Sequence, residues 1–434
     1  MPFSSPIFEY VFLFAVIITW SMIAFNLVLT WGGYVYRKKF YKEVTDLAKD
    51  DDLPHVSALI PARNEDMVIE KTVRAILAMD YPKDKLEVIV INDKSTDRTE
   101  EIVTQMSKED NRVRLLTWPS APRGSGKAHA LNEGLKLCKN PIIAIYDGDN
   151  NPSKDSLRIL CTYMLKNPKL AAALGKFRCI NKNKNILTRM INIETLSFQW
   201  MIQAGRFWFS KFAVLPGTNY VIKKEALETV GGWDVKAITE DSELSVRLQM
   251  KGYEVQFVPT SVTWEQEPET LKVWVKQRTR WVRGNNYVMN KFAKQALSFS
   301  NSNLTKEFFY MFGLYYLFLA SILSSHLTFI LSLLGVISIV MPGPYTLVWL
   351  SAFIMYLVEV YFVLSYEDED KPSNLFVTAF MYITYCQMWL YVVFRALYLD
   401  FTKNGIGVWD KTVRFKTEDK PKKKQPKIVE KVNA

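Results

Sequence analysis

Two apolar runs in this chain end in acids. "LEVIVIND" (86–93) stops at Asn92-Asp93, and "PIIAIYDGDN" (141–150) ends in Asp147-Gly148-Asp149 and an asparagine. Two carboxylates with one residue between them can point to the same side of an extended chain. Together they can hold a hard divalent cation, Mg2+ or Mn2+, through oxygen. Such an ion can grip a diphosphate and neutralise it as it leaves. Read alone, the Asp-x-Asp pair is better explained as a structural turn, because turns are rich in Asp and Gly.

Three further stretches carry suitable groups. "AITEDSELSVRL" (237–248) reads as a helix start, with Thr239 as N-cap and Glu240, Asp241 and Glu243 in the first turn. The helix dipole favours acids there, so capping explains them unless one does chemistry. In "KQRTRW" (276–281), Gln277, Arg280 and Trp281 are spaced i, i+3, i+4 and share one helix face. Arg can clamp a phosphate and Trp can stack on a hexose. An interfacial anchor explains the same trio equally well. Lys127, in "GSGKAHALN", starts a helix after glycines, where it can meet phosphates or simply be solvated. His55, His129 and His326 are isolated and read as structural.

These residues need a scaffold. Over 55–265, short apolar strands at 56–60, 86–93, 112–118 and 141–147 alternate with amphipathic helices near 66–79, 98–109, 126–139 and 153–166. That alternation predicts a parallel sheet covered by helices. Ligands bind such sheets at the carboxyl ends of the strands, where Asp93, Asp147 and Asp149 lie.

Membrane segments flank this domain. Residues 7–36 carry one charge, Glu9, and are long enough to span a bilayer. Basic residues follow ("YRKKFYK", 36–42), which predicts that the next segment is cytoplasmic. After 305 the apolar runs are 308–340, 344–365 and 375–399. An even number of crossings keeps the basic tail ("KPKKKQPK") cytoplasmic. A short hairpin near Ser324-Ser325-His326 would supply it, giving one helix before the domain and four after. The acidic residues 367–370 read as a solvated loop. The segments 187–212 and 268–292 mix Trp, Phe and Tyr with Arg and Lys, as helices lying in a membrane interface do. The divisions are therefore 1–40, a first membrane helix; 53–300, a cytosolic domain; 306–400, membrane helices; and 401–434, a basic tail.

The net charge of +11 sits beside apolar segments and in the tail, which fits a membrane surface and not nucleic acid. The four cysteines are scattered, so neither a zinc site nor a disulfide framework is indicated.

The ordered set "PARNE", "IND", "DGD", "GTN", "GGWD", "TED", "QRTRW" between membrane segments resembles the membrane-embedded, processive family 2 glycosyltransferases. Their members include cellulose, hyaluronan, chitin and poly-N-acetylglucosamine synthases. "GGWD…ITEDSELSVRL…PETLKVWVKQRTRW" is most similar to the bacterial poly-N-acetylglucosamine synthases. Hyaluronan synthases carry Gly-Asp-Asp where Thr-Glu-Asp stands here.

The resemblance implies a GT-A-like, nucleotide-binding α/β domain inserted between membrane helices. It implies that Glu65 and Asp93 contact the uridine, and that Asp147 and Asp149 hold nucleotide and metal, Mg2+ or Mn2+. Lys127 would meet the donor phosphates. Asp241 would be the general base, while Glu240 and Glu243 cap the helix. Gln277, Arg280 and Trp281 would close over the diphosphate and seat the acceptor sugar. Gly217, Thr218, Trp233 and Glu240 would lie on the acceptor side. Two positions depart from the family: Lys94 replaces the glycine after Asn-Asp, and Arg63 replaces the aromatic before Asn-Glu.

The implied activity is inverting transfer of a hexose, GlcNAc first and glucose second, from a UDP-sugar to a growing exopolysaccharide of the biofilm kind. The polymer would cross the plasma membrane, past aromatics such as Trp349, Tyr356, Tyr361, Tyr385 and Trp389. Such residues are more often packing or belt residues. Membrane lipids and a small accessory membrane subunit are expected partners. "GVWDKTVRF" (407–415) is similar to an element the family carries near the catalytic mouth. A non-processive enzyme with a lipid acceptor would use the same donor site. A dead scaffold is disfavoured because Asp93, Asp147, Asp149, Asp241 and Trp281 are all present, and a permease because of the soluble domain.

Overall fold

A computed structural model describes residues 6–43, 46–117, 126–339 and 343–402. The "GVWDKTVRF" element and the basic tail lie outside the described residues.

The expected strands form, with ends shifted by one or two residues. They are β1 (Val56–Ala62), β2 (Leu86–Asn92), β3 (Val113–Thr117) and β4 (Ile142–Ile145). β1 pairs in parallel with both β2 and β4, and β3 adds in parallel to β2. β1 and β4 are buried at every residue, as expected of strands covered on both faces. Four more strands extend the sheet: β5 (Asn151–Pro152), β6 (Leu170–Cys179), β7 (Tyr220–Lys223) and β8 (Glu254–Glu265). The order is β3-β2-β1-β4-β7-β6-β8-β5. β7 runs antiparallel to both β4 and β6, so the sheet is mixed and not the all-parallel one expected.

The helices follow in order. The first are α1 (Pro6–Lys42), α2 (Ile69–Leu77), α3 (Thr99–Glu109), α4 (Lys127–Leu137) and α5 (Ser156–Lys166). Then come α6 (Ile186–Ser197), α7 (Gly205–Ser210), α8 (Lys224–Thr229), α9 (Glu240–Met250) and α10 (Leu271–Leu297). The last are α11 (Ser302–Phe312), α12 (Phe318–Leu333), α13 (Tyr345–Ser365), α14 (Pro372–Ile383) and α15 (Tyr385–Thr402).

The first expected interface segment is α6 and α7 joined by a π-helical turn, Phe198–Ala204. It packs backbone to backbone against α1. A Cβ on Gly33 would overlap the Trp200 carbonyl, and one on Gly205 would overlap that of Leu29. Small residues at both points are what permit the approach.

Three helices are long and apolar enough to cross a membrane: 6–42, 304–333 and 345–365. A fourth span results if α14 and α15, bent by 40°, count as one. The hairpin expected near Ser324-Ser325-His326 does not form; α12 runs straight through it. Polar side chains there satisfy themselves on the helix. Thr328 Oγ1 donates to the Ser324 carbonyl at 2.9 Å. Four helices after the domain are thus replaced by two, or three with the bent pair, among the described residues.

The acidic segment 367–370 is not a solvated loop throughout. Glu367 is buried and accepts from Lys176 Nζ (2.8 Å), Trp200 Nε1 (2.7 Å) and Arg178. Glu369 pairs with Lys182. The turn after α13 is therefore clamped to β6 of the catalytic domain.

Candidate active site

The acids singled out by type converge where β1, β2 and β4 end. Asp93 follows β2 directly; its backbone N–H donates to the Ala62 carbonyl, and its Oδ2 accepts from Gly126 N–H at 3.3 Å. Lys94, standing where the family has glycine, adopts φ +54°. The left-handed turn after Asn-Asp forms without glycine. Glu65 packs against Gly148, between the two acids of the Asp-x-Asp pair.

Asp147 lies two residues past β4. Its N–H is shared between Asn150 Oδ1 (3.0 Å) and Thr218 Oγ1 (3.2 Å), and Thr218 in turn donates to Asn150. Thr218, expected on the acceptor side, is buried and braces the Asp-x-Asp turn. Trp233 is only 2% exposed, and both of its backbone polar groups are held by the Asn132 amide, so its ring is packed into the domain.

Asp241 sits in the first turn of α9, as expected. Thr239 makes no side-chain capping bond there. Asp241 Oδ1 accepts from Tyr220 Oη at 2.8 Å. Asp241 Oδ2 faces Gly217, where a Cβ would come within 3.0 Å of it and within 3.2 Å of Lys127 Nζ. Gly217 has φ +91°, a conformation few side chains tolerate. Both facts require glycine at this point.

Lys127 does more than start a helix. Its ammonium lies 2.9 Å from Asp147, 3.4 Å from Glu240 and 3.7 Å from Asp241, and donates to the Gly217 carbonyl at 2.6 Å. Burial disfavours that charge, but the three acids outweigh it and push the Lys127 pKa up. Glu240 responds the other way. Burial, then the neighbouring Asp241, push its carboxyl up to about 8 against the pull of Lys127. Glu243 is structural, as expected: it is fully buried between Arg247 (2.5 Å) and Lys291 (2.6 Å).

Among the described residues, no group of three or more His, Cys, Asp or Glu could hold a metal alone. Asp147 and Asp149 still fit Mg2+ or Mn2+. These ions bind through one or two carboxylates and take their remaining ligands from substrate phosphates and water. That a cation, Lys127 Nζ, already lies against Asp147 shows that the site favours positive charge.

Gln277 and Trp281 lie on α10, and Trp281 is partly exposed. Sequence reasoning passed over Arg278 between them, as well as Tyr220, Asn150 and Glu194. Tyr220 was detectable: "GTNY" puts it one residue past a motif already singled out. Tyr385 and Trp389, offered as polymer-lining aromatics, hydrogen-bond to Glu194 instead.

Residues 54–284 match the family described as glycosyltransferase like family 2. The chain is 39% identical over 410 residues to the protein named "Probable glycosyltransferase YdaM" of Bacillus subtilis (strain 168), covering 93% of this chain and 97% of that one. It is 33% identical over 239 residues to the poly-beta-1,6-N-acetyl-D-glucosamine synthase of Staphylococcus aureus (strain COL), covering 55% of this chain and 56% of the relative. Among solved structures, the mannosyltransferase PcManGT from Pyrobaculum calidifontis, in complex with GDP-Man and Mn2+, superposes with a TM-score of 0.56 at 21% identity. It covers 86% of this chain and 99% of that one. The catalytic domain has the GT-A-like fold.

Proposed function

The chain belongs to the family 2 glycosyltransferases, and from that premise we propose that it is an inverting, processive β-glycosyltransferase. It transfers GlcNAc, with glucose as the second choice, from a UDP-sugar to a growing polysaccharide, and passes the polymer across the plasma membrane. The observation that carries the reading is the Asp241 carboxylate, fixed by Tyr220 and set within one cluster with Asp147 and Lys127. The similarity to poly-beta-1,6-N-acetyl-D-glucosamine synthases supports the choice of sugar and of polymer.

The chemistry follows from that cluster. Tyr220 occupies Oδ1 of Asp241 and leaves Oδ2 for the acceptor hydroxyl. As the hydroxyl oxygen bonds to the anomeric carbon, its proton passes to Oδ2. The bond from that carbon to the diphosphate breaks, and UDP leaves with the electron pair. One displacement at an α-linked donor gives a β-linked product. General-base help of this kind contributes about 10²–10⁴ in rate. Lys127 balances the acids at rest and is placed to follow negative charge onto the leaving diphosphate. Mg2+ or Mn2+ held by Asp147 and Asp149 would supply Lewis-acid stabilisation of that group. Glu65 and Asp93 bind the nucleoside side, and Gln277, Arg280 and Trp281 the diphosphate and acceptor.

The membrane arrangement is read the same way. α14 begins with Asn374 bonded to Arg189 on α6, and α15 ends with Asp400 bonded to Arg283 and Asn286 on α10. Both ends of the bent pair are on catalytic-domain helices, so the pair re-enters on the side it left. Three crossings then leave the catalytic domain in the cytoplasm, the side that the basic residues after the first helix favour. The test is turnover of a nucleotide-sugar panel by the full chain in lipid nanodiscs with Mn2+. UDP release with a glycosidase-sensitive β-linked polymer supports the proposal. A single organic-soluble glycolipid as the sole product overturns the polymerase.

A further inference from the structure

Arg278 is the charged residue in "QRTRW" that is buried. It is 1% exposed, and a buried arginine must be matched by charge and hydrogen bonds. Its matches are specific. One guanidinium nitrogen donates to Gln277 Oε1 at 2.6 Å, and another to Glu194 Oε2 at 2.5 Å. The guanidinium carbon lies 3.9 Å from the centre of the Trp281 ring. One side chain therefore touches both Gln277 and Trp281, two of the three residues assigned to the diphosphate and acceptor. By lying over the Trp281 ring it fixes the plane of that ring. By donating to Gln277 Oε1 it holds the amide in place.

Glu194 is anchored in its own right. Tyr385 Oη donates to its Oε2 at 2.8 Å, and Trp389 Nε1 donates to its Oε1 at 3.0 Å. Trp274, one turn before Arg278 on α10, donates its Nε1 to Tyr385 Oη at 2.8 Å. Tyr385 is the first residue of α15, immediately after the break from α14. The chain of contacts thus runs from the bent helix pair, through Glu194, to the acceptor platform.

We propose that Arg278 is a positioning residue for the transfer reaction, holding Trp281 and Gln277 in the orientation that seats the acceptor glycan, with Glu194 as its anchor. The inference rests on the glycosyl-transfer reading above. It concerns the Gln277 and Trp281 end of the site, where Arg278 makes its contacts. Lysine cannot replace it. An ammonium keeps the charge but has no planar fork to span Gln277 and Glu194 while lying over an indole.

The test uses the full chain in nanodiscs and compares Arg278→Lys, Trp281→Ala and the double variant. UDP release is measured without acceptor, and with a titrated soluble chito-oligosaccharide. Misplacing a reacting group by an ångström costs about 10²-fold, so the acceptor KM should rise by up to that factor in Arg278→Lys. Donor KM and acceptor-free UDP release should change far less than acceptor KM does. The double variant should fall clearly short of the product of the two single effects, because both act through the Trp281 ring. Glu194→Gln should give a smaller shift of the same kind. A purely structural role predicts that acceptor-free release and transfer fall together and that the two substitutions add; either result overturns the proposal. If wild type turns over no nucleotide sugar, the transfer reading fails first. A cryo-EM map of Arg278→Lys then decides the positioning claim. The Trp281 ring should leave its place over residue 278 while the Asp241–Tyr220 contact stays, and an unmoved ring refutes the claim.

Discussion

Replacing Gly217 with alanine tests whether the base needs its exact clearance. The new Cβ would lie 3.0 Å from Asp241 Oδ2 and 3.2 Å from Lys127 Nζ. Ordinary contact begins near 3.4 Å, so the carboxylate must give by about 0.4 Å and the ammonium by about half that. Asp241 cannot retreat freely, because Tyr220 grips its other oxygen at 2.8 Å. The shift therefore falls on Oδ2, the atom assigned to take the proton. If a displacement of 1 Å costs about 10²-fold, one of 0.4 Å costs about sixfold. Alanine at φ +91° adds backbone strain of about 1–2 kcal/mol, which appears as lower thermal stability and not as slower chemistry. Gly231→Ala is the control. It has φ +82° but nothing within 4 Å of its Cβ, so it carries the strain without the contact. The assay is steady-state UDP release by both variants at saturating donor and Mn2+, with melting followed in parallel. Gly217→Ala should lose about five- to tenfold in kcat with donor KM little changed, while Gly231→Ala melts lower at wild-type kcat. Equal kcat in the two alanine variants would refute the claim that Oδ2 is the reacting atom.

Other consequences are as direct. Asp149→Ala should abolish Mn2+-dependent UDP binding measured by calorimetry, since one carboxylate is a poor site for the ion; unaltered binding in excess chelator would remove the metal from the account. Glu240 has a carboxyl pushed up to about 8 in the fold against an ordinary 4.5, so its ionisation opposes folding as pH rises between those values. Glu240→Gln should therefore melt higher than wild type at pH 8, with the difference shrinking toward pH 5; a difference independent of pH would contradict the assignment. Glu367→Ala leaves Lys176 and Arg178 buried without their acid, and should cost about 3–5 kcal/mol or prevent folding, read as loss of a monodisperse detergent-solubilised species.

Much of this was legible in the chain because the signals are local. β1, β2 and β4 are largely buried apolar runs; an acid follows β2 directly and another lies two residues past β4. The features that stayed hidden depend on partners far away in sequence. "EDED" reads as solvated until Lys176, Arg178 and Lys182 are known to lie against it. Helical spacing put Gln277, Arg280 and Trp281 on one face, but it says nothing about which way Arg278 turns. Buried arginines are rare, so sequence reasoning left it outside the site. The Ala-rich β6 has no alternation to mark it, and the antiparallel β7 is only four residues long. The serines of α12 suggested a break because such residues favour turns, whereas the helix continues and Thr328 bonds to its carbonyls.

The central claim is that Asp241 takes the proton in a single inverting displacement. The direct measurement is transfer by Asp241→Asn, in nanodiscs with Mn2+ and the donor that wild type uses, alongside UDP affinity and the anomeric configuration of the wild-type product by NMR. With Tyr220 still donating to the amide oxygen, the asparagine presents N–H where Oδ2 stood and cannot accept a proton. The account predicts a β-linked wild-type product, unchanged UDP affinity in the variant, and transfer lower by about 10²–10⁴. An α-linked product, or a variant keeping more than about a tenth of wild-type turnover, would contradict it.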